Sequence, residues 1–223
     1  MGRHLQLILA ALLLSLSLAQ AQQEAFRYEA AIGASVGMGI STVSFVPTIP
    51  QKQLTGYHAG ITFRWITENY LGLQAEANLS QQGWSELFDE PQYRYSRRLS
   101  YIDIPFLTHI HTKGKRLRFF VNLGPKVGLL IAESTTENVI ASPPPAGSQP
   151  HRTEQWSMPA QNNFAWGLCG GPGLELRTRI GIFQIEARYY YALGDIFGNR
   201  KADTFPKSSS QVIYGKLSYL IRL

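Results

Sequence analysis

Leu99-Ser-Tyr-Ile-Asp-Ile-Pro-Phe-Leu-Thr-His-Ile-His111 and Leu117-Arg-Phe-Phe-Val-Asn-Leu-Gly-Pro-Lys-Val-Gly-Leu-Leu-Ile131 read as the two arms of one β-hairpin. The basic turn Lys113-Gly-Lys-Arg116 joins them. Successive residues of a strand point to opposite faces, so each arm sorts into two sets. In the first, Ile102, Ile104, Phe106, Thr108 and Ile110 oppose Asp103, His109 and His111. In the second, Phe119, Val121, Leu123, Pro125, Val127, Leu129 and Ile131 oppose Arg118, Asn122, Gly124, Lys126 and Gly128. Strands of soluble sheets usually run about 5–6 residues. These arms are longer and match the roughly 9–11 tilted residues that cross a bilayer. A charge in the middle of each arm, Asp103 and Lys126, fits a polar interior enclosed by a lipid-facing exterior.

The same alternation recurs along the chain. It predicts strands at Arg27–Ser41, Leu54–Ile66, Tyr70–Gln82, Leu99–His111, Leu117–Ile131, Asn163–Arg177, Ile182–Leu193 and Gln211–Leu223. Connections between them alternate long and short, as expected for external loops and periplasmic turns. The expected fold is therefore all-β, an eight-stranded antiparallel up-and-down transmembrane β-barrel of the cell outer membrane. Residues 42–53, 83–97, 133–162 and 194–210 are expected to be loops, with the proline-rich stretch 133–162 the least regular. Pro105, Pro125 and Pro172 each remove a ladder donor, and Pro172 predicts a bulge or irregularity near Gly170-Gly171. Tyr57, Trp65, Tyr70, Trp84, Trp166, Tyr189 and Tyr219 are placed as interfacial girdles.

The N-terminus has a basic start, an apolar run Leu5–Leu18 and Ala19-Gln-Ala21, the pattern of a cleaved signal peptide. Residues 1–21 are assigned to it and 22–223 to one barrel domain. The formal charge of +6 becomes +5 without Arg3. Cys169 is the single cysteine, which excludes an intrachain disulfide and a cysteine-based metal cluster. No single element carries a basic, aromatic-interleaved pattern for nucleic acid.

The motifs Arg98-Leu-Ser-Tyr-Ile-Asp-Ile-Pro-Phe106 and Phe120-Val-Asn-Leu-Gly-Pro-Lys-Val-Gly128 resemble the PorT-like family of small outer-membrane barrels. Gly72-Leu-Gln-Ala-Glu-Ala-Asn-Leu-Ser-Gln-Gln-Gly83 fits the same pattern. The resemblance implies an OmpA-like eight-stranded barrel in a Gram-negative outer membrane, with no catalytic residues.

An eight-stranded barrel has an interior just wide enough for side chains to fill. Arg64, Glu76, Asp103, Lys126, Glu175, Glu186, Arg188 and Lys216 are expected to form a lumen ion-pair network, with Glu29 and Arg222 on the same face. Tyr93, Tyr95, Arg97, Arg98, Arg152 and Trp156 are the candidate loop residues for a protein partner, aromatic and arginine side chains being enriched at interaction hot spots. His109 and His111 make half a metal site with no third ligand. His58, Ser80 and Glu76 are loose candidates for a hydrolase, without a motif joining them. Gly170-Gly-Pro-Gly173 lacks the Lys-Ser/Thr of a phosphate loop. The expectation is a non-enzymatic, monomeric scaffold without a cofactor, in contact with outer-membrane lipid and acting through its external loops. The alternatives are a soluble periplasmic lipocalin-like barrel, with a ligand cavity lined by Ile61, Phe63, Val121 and Val127, and a lipid-modifying barrel enzyme.

Overall fold

The computed structural model describes residues 28–88, 93–137, 154–198, 200 and 204–223. The proposed signal peptide and Arg152 lie outside the described residues. The strands are β1 (Glu29–Val46), β2 (Gln51–Lys52), β3 (Leu54–Ile66), β4 (Leu71–Glu86), β5 (Tyr95–His111), β6 (Leu117–Glu137), β7 (Phe164–Arg177), β8 (Ile182–Ala192) and β9 (Lys207–Arg222). A single helical turn, α1 (Glu154–Ser157), precedes β7. All long strands pair antiparallel in the order β4-β3-β1-β9-β8-β7-β6-β5, and β4 pairs with β5 to close the ring. The two-residue β2 pairs with Ser85 and Glu86 of β4, outside the eight-strand circuit.

Closure leaves no free edge in the spanning part of the ring, which hydrocarbon demands because it cannot solvate a free N–H or C=O. The direction of the side chains is decisive. Ile32, Val36, Ile61, Phe63, Ile104, Phe106, Val121, Leu123, Ile185 and Leu217 are exposed, on the outside of the ring. Arg64, Glu76, Asp103, Lys126, Glu175, Glu186, Arg188 and Lys216 are buried inside it. The lipocalin-like alternative is thereby overturned: Ile61, Phe63 and Val121 face outward and line no inner cavity. Among the described residues no helix is long and apolar enough to cross a membrane.

The prolines leave the register unshifted, so the irregularity expected near Gly170-Gly171 is a local loss of pairs and not a bulge. β7 keeps one register against β8, from Cys169↔Tyr190 and Gly170↔Tyr189 to Gly173↔Glu186, and merely omits the pairs at Gly171 and Pro172. Pro105 similarly interrupts pairing with β4 between Ala75↔Phe106 and Asn78↔Asp103. In each case the ladder loses pairs locally without gaining a residue. The register does shift in the β5–β6 ladder, where Ser100 pairs Ala132 but Tyr101 pairs Leu130, so Ile131 is extra.

Several strands run past the expected ends. β1 continues to Val46, β4 to Glu86 and β6 to Glu137, while β5 starts at Tyr95 and β9 at Lys207. Much of the sequence assigned to loops is thus barrel wall standing above the membrane.

Candidate functional site

The lumen is built from the inward positions of the crossing strands, in three layers. Nearest the short turns, Arg64 on β3 pairs with Glu175 on β7. These strands stand opposite each other in the ring, so the pair spans the lumen. Glu175 also accepts from Gln184 at 3.0 Å and from Arg177 at 3.1 Å, and Arg177 pairs with Glu29. His109 lies between Asn122, 2.8 Å from its Nδ1, and Arg64, 3.3 Å from its Nε2.

In the middle layer Glu76 on β4 takes both terminal nitrogens of Arg188 at 2.9 Å each. It also takes Lys216 at 2.5 Å, Gln74 at 2.6 Å and Asn78 at 2.9 Å. Arg188 sits on β8, again opposite in the ring, and bonds Glu186 through Nε and Nη2 at 2.8 Å each. In the upper layer Lys126 meets Asp103 at 2.7 Å, and Ser80 donates to the same carboxylate at 2.6 Å. The Lys126 ammonium lies 3.4 Å from the centroid of the Tyr190 ring. Arg64, Lys126, Arg188 and Lys216 thus stand against Glu76, Asp103, Glu175 and Glu186, each cation in contact with a carboxylate. Pairing of this kind offsets the desolvation of charges removed from water. Small residues make the room: a Cβ on Gly128 would stand 2.4 Å from Asp103 Oδ1.

Above these layers the inner face turns apolar. Val43, Phe45, Ile49, Trp84, Tyr95, Leu99, Tyr101, Ile196, Phe197 and Phe205 form one buried cluster. Trp156 of α1 stacks on Tyr95 with centroids 5.6 Å apart. Arg97 enters the cluster between Trp84 and Phe197, donates to the carbonyls of Gln155 (2.8 Å) and Met158 (2.5 Å), and pairs with Glu133. Glu86 accepts from Gln155 and from Trp156 Nε1 at 3.0 Å each. Among the described residues, the end away from the short turns therefore carries a packed aromatic cap.

This corrects the loop reading of Tyr95 and Arg97. Both were expected to be available to a partner, yet both are buried, because β5 begins at Tyr95 and points them inward. Trp84 is likewise a cap residue and no girdle anchor. Arg98 is exposed on the outer wall, Tyr93 packs against Phe88, and Trp156 is partly buried. Arg222, expected in the lumen, is exposed at the lower rim and donates to the Thr178 carbonyl at 2.6 Å. The sequence reading missed Glu86 and Gln155. Glu86 had a signal, since it continues the inward face of Gln82 and Trp84; Gln155 had none.

The alternative chemistries find little geometry. Ser80 is bonded to Asp103, His58 lies against the Tyr214 ring at 4.9 Å, and Glu76 is held by Arg188 and Lys216. His109 and His111 sit with rings 5.4 Å apart, and among the described residues no three His, Cys, Asp or Glu side chains gather as a metal would require.

Residues 19–198 match the model of the outer membrane protein β-barrel domain family. The chain belongs to that family. Among solved structures it resembles OprG of Pseudomonas aeruginosa, with 12% identity, a TM-score of 0.56, and coverage of 87% of this chain and 95% of that one. Weaker likenesses are to Neisserial surface protein A (11% identity, TM-score 0.44, 87% and 99% covered) and to Ail of Yersinia pestis (13%, 0.42, 86% and 99%). A comparison with curated proteins finds no match. At such identities the likeness to OprG concerns the fold. Membership of the family places the protein in the outer membrane, with its short turns on the periplasmic side.

Proposed function

We propose that the protein is a non-conducting, non-enzymatic outer-membrane scaffold that works as a monomer and presents its extracellular cap to a protein partner. Within the barrel family, the motifs at Arg98–Phe106 and Phe120–Gly128 support a PorT-like reading. The observation that carries this reading is the continuity of the filling. Three ionic layers occupy the membrane-spanning lumen, and the aromatic cluster of the cap stands directly above them. That packing supports a lumen without a continuous water-filled path. Ser80 and Glu76 are already engaged in structural contacts, which supports a role without catalysis.

In this reading the barrel anchors and the cap presents, loops being the usual carriers of function on a rigid frame. Arg98, Tyr93 and Trp156 are the surface residues retained for partner contact, and Arg152 joins them as a proposal from sequence alone. Reconstitution in planar bilayers tests the filled lumen. The expected record is electrically silent at moderate voltages, and a steady ohmic current from the folded protein overturns the proposal.

A further inference from the structure

The outer surface of the barrel is uneven. Between β1 and β9, β8, β7 and the start of β6 lies an apolar concavity of about 600 Å³. This volume is in the range of small-molecule sites, about 300–1,000 Å³. Ala34, Tyr219, Phe183 and Leu117 line its lower side, while Leu217 and Ile185 line its upper side. The concavity is low on the wall. Leu117 directly follows the β5–β6 turn, and Phe183 stands next to the first residue of β8.

Just beneath it the turns are basic. Lys113, Lys115 and Arg116 are exposed in one, and Arg179 is exposed in the next. The Arg177 amide donates to the Arg116 carbonyl at 2.7 Å, which binds these turns side by side. Arg222 donates to the Thr178 carbonyl at 2.6 Å, bringing the end of β9 to the same edge. The described acids near this edge are spoken for: Glu29 by Arg177, and Glu175 by Arg64 and Arg177. Glu68 lies in the turn between β3 and β4, beyond the other side of β1. A greasy trough thus stands over a cationic arc at the level of the periplasmic headgroups.

We propose that this trough and the arc of Arg116, Arg179 and Arg222 bind one anionic diacyl phospholipid of the periplasmic leaflet. An acyl chain lies along Ala34, Leu217 and Phe183, and the phosphate meets the guanidinium groups. Arginine presents a fork that matches phosphate oxygens, and basic side chains at a membrane surface favour anionic lipid. Shape and charge together select the ligand. Apolar trough alone takes any chain, and basic arc alone takes any phosphate.

Native mass spectrometry of the folded full chain, released from detergent with phosphatidylglycerol, phosphatidylcholine or inorganic phosphate, tests this. The expected result is one retained phosphatidylglycerol, with a preference of about tenfold or more over phosphatidylcholine. The triple variant Arg116→Gln/Arg179→Gln/Arg222→Gln should lose that preference. Lys52→Gln/Arg98→Gln, at the extracellular end, should keep it. Ala34→Phe fills the trough without touching the charges and should weaken retention of both lipids. Equal retention of the two lipids by the unaltered protein, an unchanged preference in the triple variant, or loss in the extracellular control overturns the site. Displacement of the lipid by millimolar inorganic phosphate overturns the trough's part in it. Heat-modifiable gel mobility confirms that each variant is folded.

Discussion

The lower and upper parts of this barrel are made by the same strands and obey opposite rules. On β5 below Ile102, the inward residues are Asp103, Pro105, Leu107, His109 and His111, with Pro105 and Leu107 apolar among the polar ones, and the outward ones are Ile104, Phe106 and Ile110. Above it the inward residues become Tyr95, Leu99 and Tyr101, and the outward ones Ser96, Arg98 and Ser100. β1 changes likewise, from Gly33, Ser35, Gly37 and Gly39 inside to Val43 and Phe45. β6 changes on its outer face, from Leu129 and Ile131 to Ser134, which pairs with the outward Arg98. The extra residue at Ile131 stands at this boundary. The backbone is continuous across it while the solvent is not. Where hydrocarbon surrounds the wall, apolar side chains go out and ions are paired within. Where water surrounds it, the wall folds like a soluble domain around a dry core.

The ionic half gives the largest expected effect. Arg188→Leu removes the brace between β8 and β4 and leaves Glu186 and Glu76 without their guanidinium. Breaking a buried pair from one side costs about 3–5 kcal/mol. Urea unfolding of the barrel in phospholipid vesicles should show that loss. Arg188→Met/Glu186→Met should recover part of it, because one carboxylate is no longer stranded. In the aromatic half the counterpart is Phe197→Ala, which empties a fully buried position of the cap. A buried phenylalanine truncation costs about 3–5 kcal/mol, and relaxation of the cap places this one near 3. The four tryptophans divide the readout. Trp84 and Trp156 sit in the cap, and Trp65 and Trp166 are exposed on the lipid face. Acrylamide quenching should rise for the first pair, while heat-modifiable mobility, a property of the lower barrel, stays unchanged.

The lower half was legible in the sequence because one period-two pattern holds through each crossing. Tyr57–Trp65 shows it without interruption and Leu117–Ile131 shows it with Phe120 and Leu130 as apolar exceptions on the inner face, and the eight ionic positions follow from it by parity. The upper half obeys the same parity with the chemistry exchanged. There an outward Ser96 or Arg98 and an inward Tyr95 look like loop residues when hydrophobicity is expected outside. The strands therefore seemed to stop where only their solvent changed. The prolines act in a smaller way. Pro172 omits pairs on one side only, and the opposite ladder to β6 remains continuous through Val121↔Pro172. Gln155 was beyond reach, since its bond to Glu86 joins residues far apart in the chain.

A charge placed on the outer wall locates the boundary between the halves. Ile104→Arg puts a cation into hydrocarbon and should cost about 2–4 kcal/mol in vesicle unfolding. Ser96→Arg lies on the same face of the same strand, eight residues earlier, and should cost less than about 0.5 kcal/mol. Equal costs would mean that lipid covers the cap as well.

The smallest expected effect concerns Tyr95. Its ring stacks on Trp156, but its hydroxyl has no hydrogen-bond partner among the described residues. Burial holds the phenol above the ordinary tyrosine range. The group is therefore kept for its aromatic face, and the oxygen is a desolvated passenger. Tyr95→Phe retains the face and removes the passenger, so stability should change by less than about 1 kcal/mol, with a gain as acceptable as a loss. Tyr95→Leu keeps an apolar side chain but not the stack, and should lower cap stability by about 1 kcal/mol or more. If Tyr95→Phe instead proves the more damaging of the two, the cap is held by a polar network at this position. The contrast between an ionic lower lumen and a dry upper core would then have to be redrawn.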